Sequence, residues 1–145
     1  MKTKLILAVV ASWLCALPLS AQVSTMSKKA CQQAMTGIWQ IEGKARNGEK
    51  VYGPIYKVYG KNGEYQFLTS LGTPMGKTRI MHEGKWRVVK PGLLEENTTF
   101  RSDREGGKGE KAVVEFEIID YNHMSITWQT DDGRKSTEYY SRVIY

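Results

Sequence analysis

One stretch, GIWQIE at residues 37–42, carries the strongest structural signal in this chain. Its apolar and polar side chains alternate, which is typical of a β-strand with one buried face. The same period of two continues almost to the last residue, broken by turn sequences such as Asn-Gly and Asp-Gly. The pattern predicts nine strands, at 37–46, 51–60, 64–71, 77–83, 85–90, 93–101, 111–120, 123–130 and 134–144.

The connections between these strands predict an all-β, up-and-down antiparallel meander. No helical segment long enough for a parallel crossover interrupts the strands, and each turn joins neighbours. Closing the meander into a barrel removes both exposed sheet edges. The barrel has eight strands if 77–83 and 85–90, separated by Gly84, form one bent strand, and nine if they do not.

Alternation also predicts which side chains face the barrel interior. A register error of one residue would turn a strand's whole set outward. Strand 93–101 has no clean alternation, and for 134–144 the Tyr139/Val143 and Tyr140/Arg142 sets both remain open. The predicted inward side chains are Trp39, Ile41, Tyr52, Tyr56, Val58, Tyr65, Phe67, Leu71, Ile80, Trp86, Val88, Val114, Phe116, Ile118, Met124, Ile126 and Trp128.

The N-terminal segment has the order of a secretory signal peptide. Lys2 and Lys4 precede an apolar run that ends in small residues, and cleavage is expected near Ala21. The predicted organisation is therefore a signal peptide at 1–21, a leader with a short helix at 22–36 and a barrel domain at 37–145.

The cysteines predict neither a lipid anchor nor a disulfide. No lipoprotein box precedes Cys15 or Cys31, so we expect an exported protein, periplasmic or extracellular, without an anchor or an integral membrane span. Cys15 leaves with the signal peptide, so Cys31 has no partner in the mature chain. Cys31 is interpreted either as a buried apolar residue under the barrel or as an exposed thiol in a mobile leader.

Composition and spacing exclude several other functions. The formal net charge is +6, but it is spread along the chain, so no nucleic-acid partner is expected. His82 and His123 lack metal-ligand spacing, and no metal or other cofactor is expected. The loop at 71–78 has one residue too few between its glycines for a phosphate-binding loop. No catalytic constellation is predicted, although two inward ionisable groups within hydrogen-bond reach would favour one.

The two ends of the domain carry a resemblance. GIW at 37–39 after a short helical leader, the meander, and YYSRV at 139–143 in the last strand resemble the lipocalin-type calycin barrels. More closely, the chain resembles the small secreted lipocalin-like domains of bacteria, most of them of unknown function. It implies that Trp39 and Arg142 meet beside Gly37 and close one end of the barrel, with the guanidinium over the indole.

Two functions remain open for such a barrel. It can hold a small hydrophobic or amphipathic ligand in its interior, with loops 43–53, 72–78 and 102–110 as the rim. Alternatively, a filled barrel acts through its outer surface, as an inhibitor of or accessory to another exported protein. An enzyme is the third and least expected class. The predicted ligand wall is Tyr52, Tyr56, Tyr65, Phe67, Trp86 and Trp128.

Overall fold

A computed structural model describes residues 25–71, 76–103, 110–130 and 132–143. The predicted signal peptide, the side chain of Leu71 and the rim segments 72–75 and 104–109 lie outside the described residues. Among the helices within the described ranges, none is long and apolar enough to cross a membrane. The elements are α1 (Lys28–Met35), β1 (Gly37–Lys44), β2 (Lys50–Tyr59), β3 (Glu64–Leu71), β4 (Lys77–Lys90), β5 (Leu93–Arg101), β6 (Glu110–Ile118), β7 (His123–Gln129) and β8 (Lys135–Arg142).

The strands form a closed barrel in sequence order, β1 to β8. Every strand pairs antiparallel with the next, and β8 pairs antiparallel with β1. The predicted all-β, up-and-down barrel with a short N-terminal helix is confirmed. Segments 77–83 and 85–90 form the single strand β4, so the barrel has eight strands.

Gly84 lies inside β4 because the neighbouring strand approaches it closely. A Cβ at this position would overlap the backbone carbonyl of Asn97, and the pairing of β4 with β5 shifts register between Glu83 and Gly84. A glycine within a strand pattern is typical of such a bulge. Gly84 therefore allows a long strand to bend without ending it.

Helix α1 packs across one end of the barrel. Ser27 caps the helix by accepting a hydrogen bond from the Ala30 amide at 3.1 Å. On the inward side Cys31 and Met35 are fully buried in the core, which answers the question left open for Cys31. We call this covered end, with α1 over it, the closed end.

The register of β2 differs from the predicted one. Trp39 opposes Lys57 across β1 and β2, and Gln40 opposes Tyr56. Directly opposed residues project to the same face, so Lys57 points inward with Trp39. The prediction that Tyr52, Tyr56 and Val58 point inward was therefore wrong. Both faces of this strand are largely apolar, so alternation alone does not determine which face is inward. An inward lysine is unusual, and this favoured the wrong register.

Ile80 is a second correction, and its cause is an irregularity in β4. Phe67 opposes His82, but Leu68 opposes Ile80, so the alternation of β4 changes phase between these pairs. Ile80 consequently lies on the outer face, and His82 takes the inward position. A pattern of strict period two cannot predict where a strand changes phase.

The structure determines which residues of β5 and β8 face inward, a question that the sequence left open. In β5, Leu94, Glu96 and Thr98 are the buried positions, which explains why this strand shows no apolar alternation. In β8 the inward set contains Tyr140, which is fully buried, and Arg142. The core of the barrel consists of Trp39, Tyr59, Tyr65, Trp86, Val88, Leu94, Val114, Phe116, Ile118, Met124, Ile126 and Tyr140, together with Cys31 and Met35 of α1.

Candidate functional site

At the closed end, Arg142 lies over Trp39. The two residues oppose each other across β1 and β8, and the guanidinium carbon is 4.1 Å from the centre of the indole ring. Tyr121 lies 4.9 Å from the same guanidinium. Arg142 also donates to the carbonyls of Tyr121, Thr36 and Ala34 at 2.7–2.8 Å. Burial lowers the pKa of Arg142. This arrangement joins the first strand, the last strand and the helix end.

Gly37 makes room for that guanidinium. Its φ is +147°, a conformation that side chains rarely adopt, and a Cβ here would lie 2.5 Å from Nη1 of Arg142. Trp39, in turn, donates its indole N–H to the carbonyl of Met35 at 2.8 Å. Gly37, Trp39 and Arg142 are thus occupied with one another and with the helix, which makes them structural parts of the closed end.

The opposite end of the barrel holds a cavity of about 640 Å³. We call it the open-end cavity, because its lining includes the strand ends next to loops 102–109 and 130–134, and no residue of α1. Ligand cavities in proteins commonly have this size. It is lined by Lys57, Tyr65, Phe67, His82, Glu96, Thr98, Arg101, Glu110, Ala112, Val114, Ile126, Trp128, Gln129, Thr130 and Glu138.

Three of the six predicted wall residues line this cavity: Tyr65, Phe67 and Trp128. Trp128 is 39% exposed, which is consistent with a place at the opening. The Tyr65 hydroxyl forms a 2.5 Å hydrogen bond with Thr98. Half of the predicted wall residues therefore line the cavity, and they are the Phe, Tyr and Trp residues of its described lining.

The other three predicted wall residues lie elsewhere. Trp86 is buried below the cavity, where its ring packs 4.8 Å from that of Tyr59 and its N–H donates to the Gly60 carbonyl at 3.0 Å. Tyr52 is 55% exposed on the outer face. Tyr56 is outside as well, and its hydroxyl accepts a hydrogen bond from Gln40 at 3.1 Å. The pairing register of β2 with β1 explains why both tyrosines point outward.

The cavity also contains charged side chains that alternation in the sequence did not predict to face inward. Lys57 Nζ lies 3.1 Å from Glu96 Oε1, and both side chains are only about a tenth exposed, at 12% and 11%. The Tyr59 hydroxyl donates to the same carboxylate oxygen at 2.5 Å. Burial and Glu96 raise the pKa of Tyr59 well above its ordinary value. The pair Glu95-Glu96 hinted at this, because one of two adjacent strand residues must face inward.

A second ion-paired group lies at the rim. Arg101 contacts Asp103 at 2.9 Å and Glu110 at 2.5 Å. The hydrogen bond from Arg101 lowers the pKa of Asp103 to about 2. His82 packs 5.3 Å from the Phe67 ring, and its burial, aided by the charge of Arg101, lowers the pKa of the imidazole. The surroundings of His82 therefore favour the neutral imidazole.

Glu138 is the third carboxylate of the lining. Tyr140 donates its hydroxyl to Glu138 at 2.7 Å. Burial, and then the Glu138 charge, raise the pKa of Tyr140. Glu138 differs from Glu96 and Glu110 because it has no ion-pair partner among the described residues. The described residues also contain no cluster of three or more His, Cys, Asp or Glu arranged to hold a metal ion.

Comparison with known proteins assigns the domain to a family. A family model described as a domain of unknown function, DUF4488, matches residues 34–145. The chain belongs to this family. No curated protein is significantly similar to this DUF4488 protein.

Two solved structures resemble the DUF4488 barrel. One is a lipocalin-like protein from Bacteroides uniformis ATCC 8492, 18% identical, with a TM-score of 0.47 over 76% of this chain and 99% of that one. The other is a de novo designed fluorescence-activating β-barrel, 15% identical, with a TM-score of 0.43 over 78% of this chain and 97% of that one. The expected resemblance to lipocalin-like domains of unknown function is confirmed.

Proposed function

We propose that this DUF4488 domain is an exported binding protein that holds one small amphipathic molecule in the open-end cavity. The observation that carries the proposal is the cavity itself, about 640 Å³ with aromatic and charged side chains on one continuous lining. Ligand sites combine mainly apolar walls with a few placed polar groups in this way.

The lining supports an amphipathic ligand over a purely hydrophobic one. Phe67, Ile126 and Trp128 provide apolar surface for a ring or a short chain. Lys57 and Glu96 are an ion pair within the same cavity. A ligand without polar groups would remove water from these side chains and offer no replacement partner, which is costly. A polar group on the ligand avoids that cost.

The interior of the barrel also favours ligand binding over the alternative function, in which a filled barrel acts only through its outer surface. Inside the barrel, the described side chains are packed from the closed end up to Tyr59, Tyr65 and Tyr140, and the open-end cavity lies above them. A barrel filled along its whole length would have favoured the surface-acting alternative.

Binding is also better supported than catalysis. Lys57 and Glu96 meet the condition of two inward ionisable groups within hydrogen-bond reach. However, Lys57 and Tyr59 both contact Oε1 of Glu96, so these groups already hold one another. We propose that they orient a ligand. Mass spectrometry of a bound probe after long incubation should recover it unchanged, and turnover of the probe would contradict this assignment.

A pair of neighbouring substitutions tests the binding proposal. Ala112 lines the cavity, whereas Val113 on the same strand is exposed on the outer face. Nile red, a neutral dye whose aromatic body carries a polar carbonyl group, should bind the unmodified protein saturably at one site. Ala112→Phe should weaken this binding by filling the cavity, and Val113→Phe should leave it unchanged. Absence of saturable binding, or equal effects of the two substitutions, would refute the proposal.

Export needs a separate test. It is supported by the charged and apolar order of residues 1–21. N-terminal sequencing of protein from the periplasm or the medium should begin near Gln22. A membrane-bound product acylated on a cysteine would show that the protein is anchored instead.

A further inference from the structure

We infer that the open-end cavity selects an organic cation, a protonated amine attached to an apolar group, through Glu138 and Trp128. The inference rests on the proposed function, because it assigns the charge of the ligand's polar group. It is carried by the pairing of charges inside the cavity and by the position of Trp128 beside Glu138, the carboxylate of the lining that has no cation partner among the described residues.

Both cations of the lining already have carboxylate partners. Lys57 contacts Glu96 at 3.1 Å, and Arg101 contacts Glu110 and Asp103 at the rim. An anionic ligand would have to compete with these carboxylates for a buried or crowded cation. Separating such a pair leaves a charge in a poorly solvated place, which is strongly unfavourable.

Glu138, unlike the two cations, has no ion-pair partner among the described residues. Its partner among the described residues is the hydroxyl of Tyr140, at 2.7 Å, and this is a neutral donor. Among the described residues, the lining contains three carboxylates, from Glu96, Glu110 and Glu138, against the cations of Lys57 and Arg101. His82 does not make up the difference, because its environment favours the neutral imidazole. The described part of the lining thus has an excess negative charge, although the whole chain has a formal net charge of +6.

Trp128 is placed to contact a cation that binds to Glu138. In the pairing of β7 with β8, Glu138 opposes Ile126 and Trp128 opposes Ser136. Glu138 and Trp128 are therefore diagonal neighbours on the inner face, within reach of one another's side chains. An ammonium group can bind a carboxylate on one side and the face of an indole on the other. Phe67 and Ile126 then remain for the apolar part of the ligand.

Three probes that share one apolar body distinguish the charge of the bound group. They are 4-phenylbutylamine, 4-phenylbutan-1-ol and 4-phenylbutanoate, each titrated by displacement of Nile red from the unmodified protein. We expect the amine to bind about tenfold more tightly than the alcohol, the advantage typical of one charge-assisted contact, and the carboxylate to bind most weakly.

A matched pair of variants assigns this preference to Glu138. Glu138→Gln keeps an oxygen that accepts from Tyr140, so the fold should persist, but it removes the charge. It should weaken amine binding about tenfold and leave alcohol binding unchanged. Glu115→Gln, on the exposed outer face, is the control and should change neither. Thermal unfolding of both variants checks that the barrel is intact.

The outcomes separate the two proposals. If the carboxylate probe binds as well as the amine, or if Glu138→Gln and Glu115→Gln behave alike, the cation assignment is wrong while Nile red binding still supports a ligand cavity. If Nile red does not bind saturably, the proposed function fails first and the cation assignment fails with it. The ranking of the three probes on the unmodified protein is decisive even if Glu138→Gln does not fold.

Discussion

At the residue scale, Arg142 is held without a carboxylate partner among the described residues. Two aromatic faces and three backbone carbonyls surround the guanidinium instead. Such a cation–π contact contributes about 0.5–2 kcal/mol, more when it is desolvated. Arg142 thereby stabilises the closure between the first and last strands. Dissolved salt weakens these contacts only slightly, because they do not depend on a solvent-exposed ion pair.

This arrangement predicts coupling between Trp39 and Arg142. Trp39→Ala should lower the free energy of unfolding by about 3–5 kcal/mol, since the ring is fully buried. Arg142→Ala should cost less, and the double variant less than the sum of the two. Urea unfolding of the three variants measures the coupling. Strictly additive losses would mean that the contact contributes nothing to stability.

The buried tyrosines make stability fall at alkaline pH. Burial raises the pKa of Tyr65 to about 12, so the folded state favours the neutral phenol more than the unfolded state does. This contribution is complete below the unfolded pKa of about 10 and is lost as the pH rises to about 12. Tyr59 and Tyr140, whose pKa values are also raised, act in the same direction.

Tyr65→Phe should therefore reduce the pH dependence of the free energy of unfolding between about pH 10 and about pH 12. Denaturant unfolding at several pH values in this window measures the slope. Tyr139→Phe, at a position that is 50% exposed, is the control and should leave the slope unchanged. An identical slope in both variants would show that Tyr65 ionises as freely in the folded as in the unfolded state.

At the scale of elements, α1 is part of the barrel's closed end. Besides the buried Cys31 and Met35, the helix uses the side chain of Gln32, which accepts a hydrogen bond from the Val88 amide at 2.7 Å. This contact crosses from the helix to β4. It holds the helix over the end of the barrel by a polar link as well as by apolar burial.

Two adjacent glutamines test that link. Gln32→Ala should lower the free energy of unfolding by about 1–3 kcal/mol, because the Val88 amide is left without its partner. Gln33→Ala, on the exposed side of the same helix, should change stability by less than about 0.5 kcal/mol. Thermal unfolding of both variants gives the comparison, and equal losses would contradict the role of Gln32.

At the scale of the whole molecule, the barrel divides into a packed lower part and an open upper part. Stability resides mainly below, where large apolar side chains are fully buried. The cavity above is lined by charged and aromatic side chains, which contact the ligand in the proposed function. Stability and binding should therefore respond to different substitutions.

Leu94→Ala and Phe67→Ala make this division measurable. Leu94→Ala, in the packed part, should cost about 2–5 kcal/mol of unfolding free energy and leave Nile red affinity unchanged while the protein is folded. Phe67→Ala, on the cavity wall, should cost less stability and weaken Nile red binding. The reverse pattern would show that the cavity is part of the structural core.

The barrel was predictable from sequence because its signals are local. Period-two alternation and turn residues report on a few neighbouring positions, and together they predicted a meander of eight or nine strands. The inward facing of Tyr65, Phe67 and Trp128 followed in the same way, since their strands have one clearly apolar face. The juxtaposition of Trp39 and Arg142 came from a resemblance at the two ends of the chain, not from the pattern.

The character of the cavity was decided only by the tertiary structure. β2 is apolar on both faces, so pairing with β1, and not its own pattern, turned Lys57 inward and Tyr52 and Tyr56 outward. The charge of Glu96 is unfavourable in an apolar core without partners, and it is accommodated because a strand distant in sequence brings Lys57 and Tyr59 to it. Glu138 instead accepts a hydrogen bond from Tyr140, two residues along its own strand. Sequence alternation cannot predict partners that chain closure alone brings together.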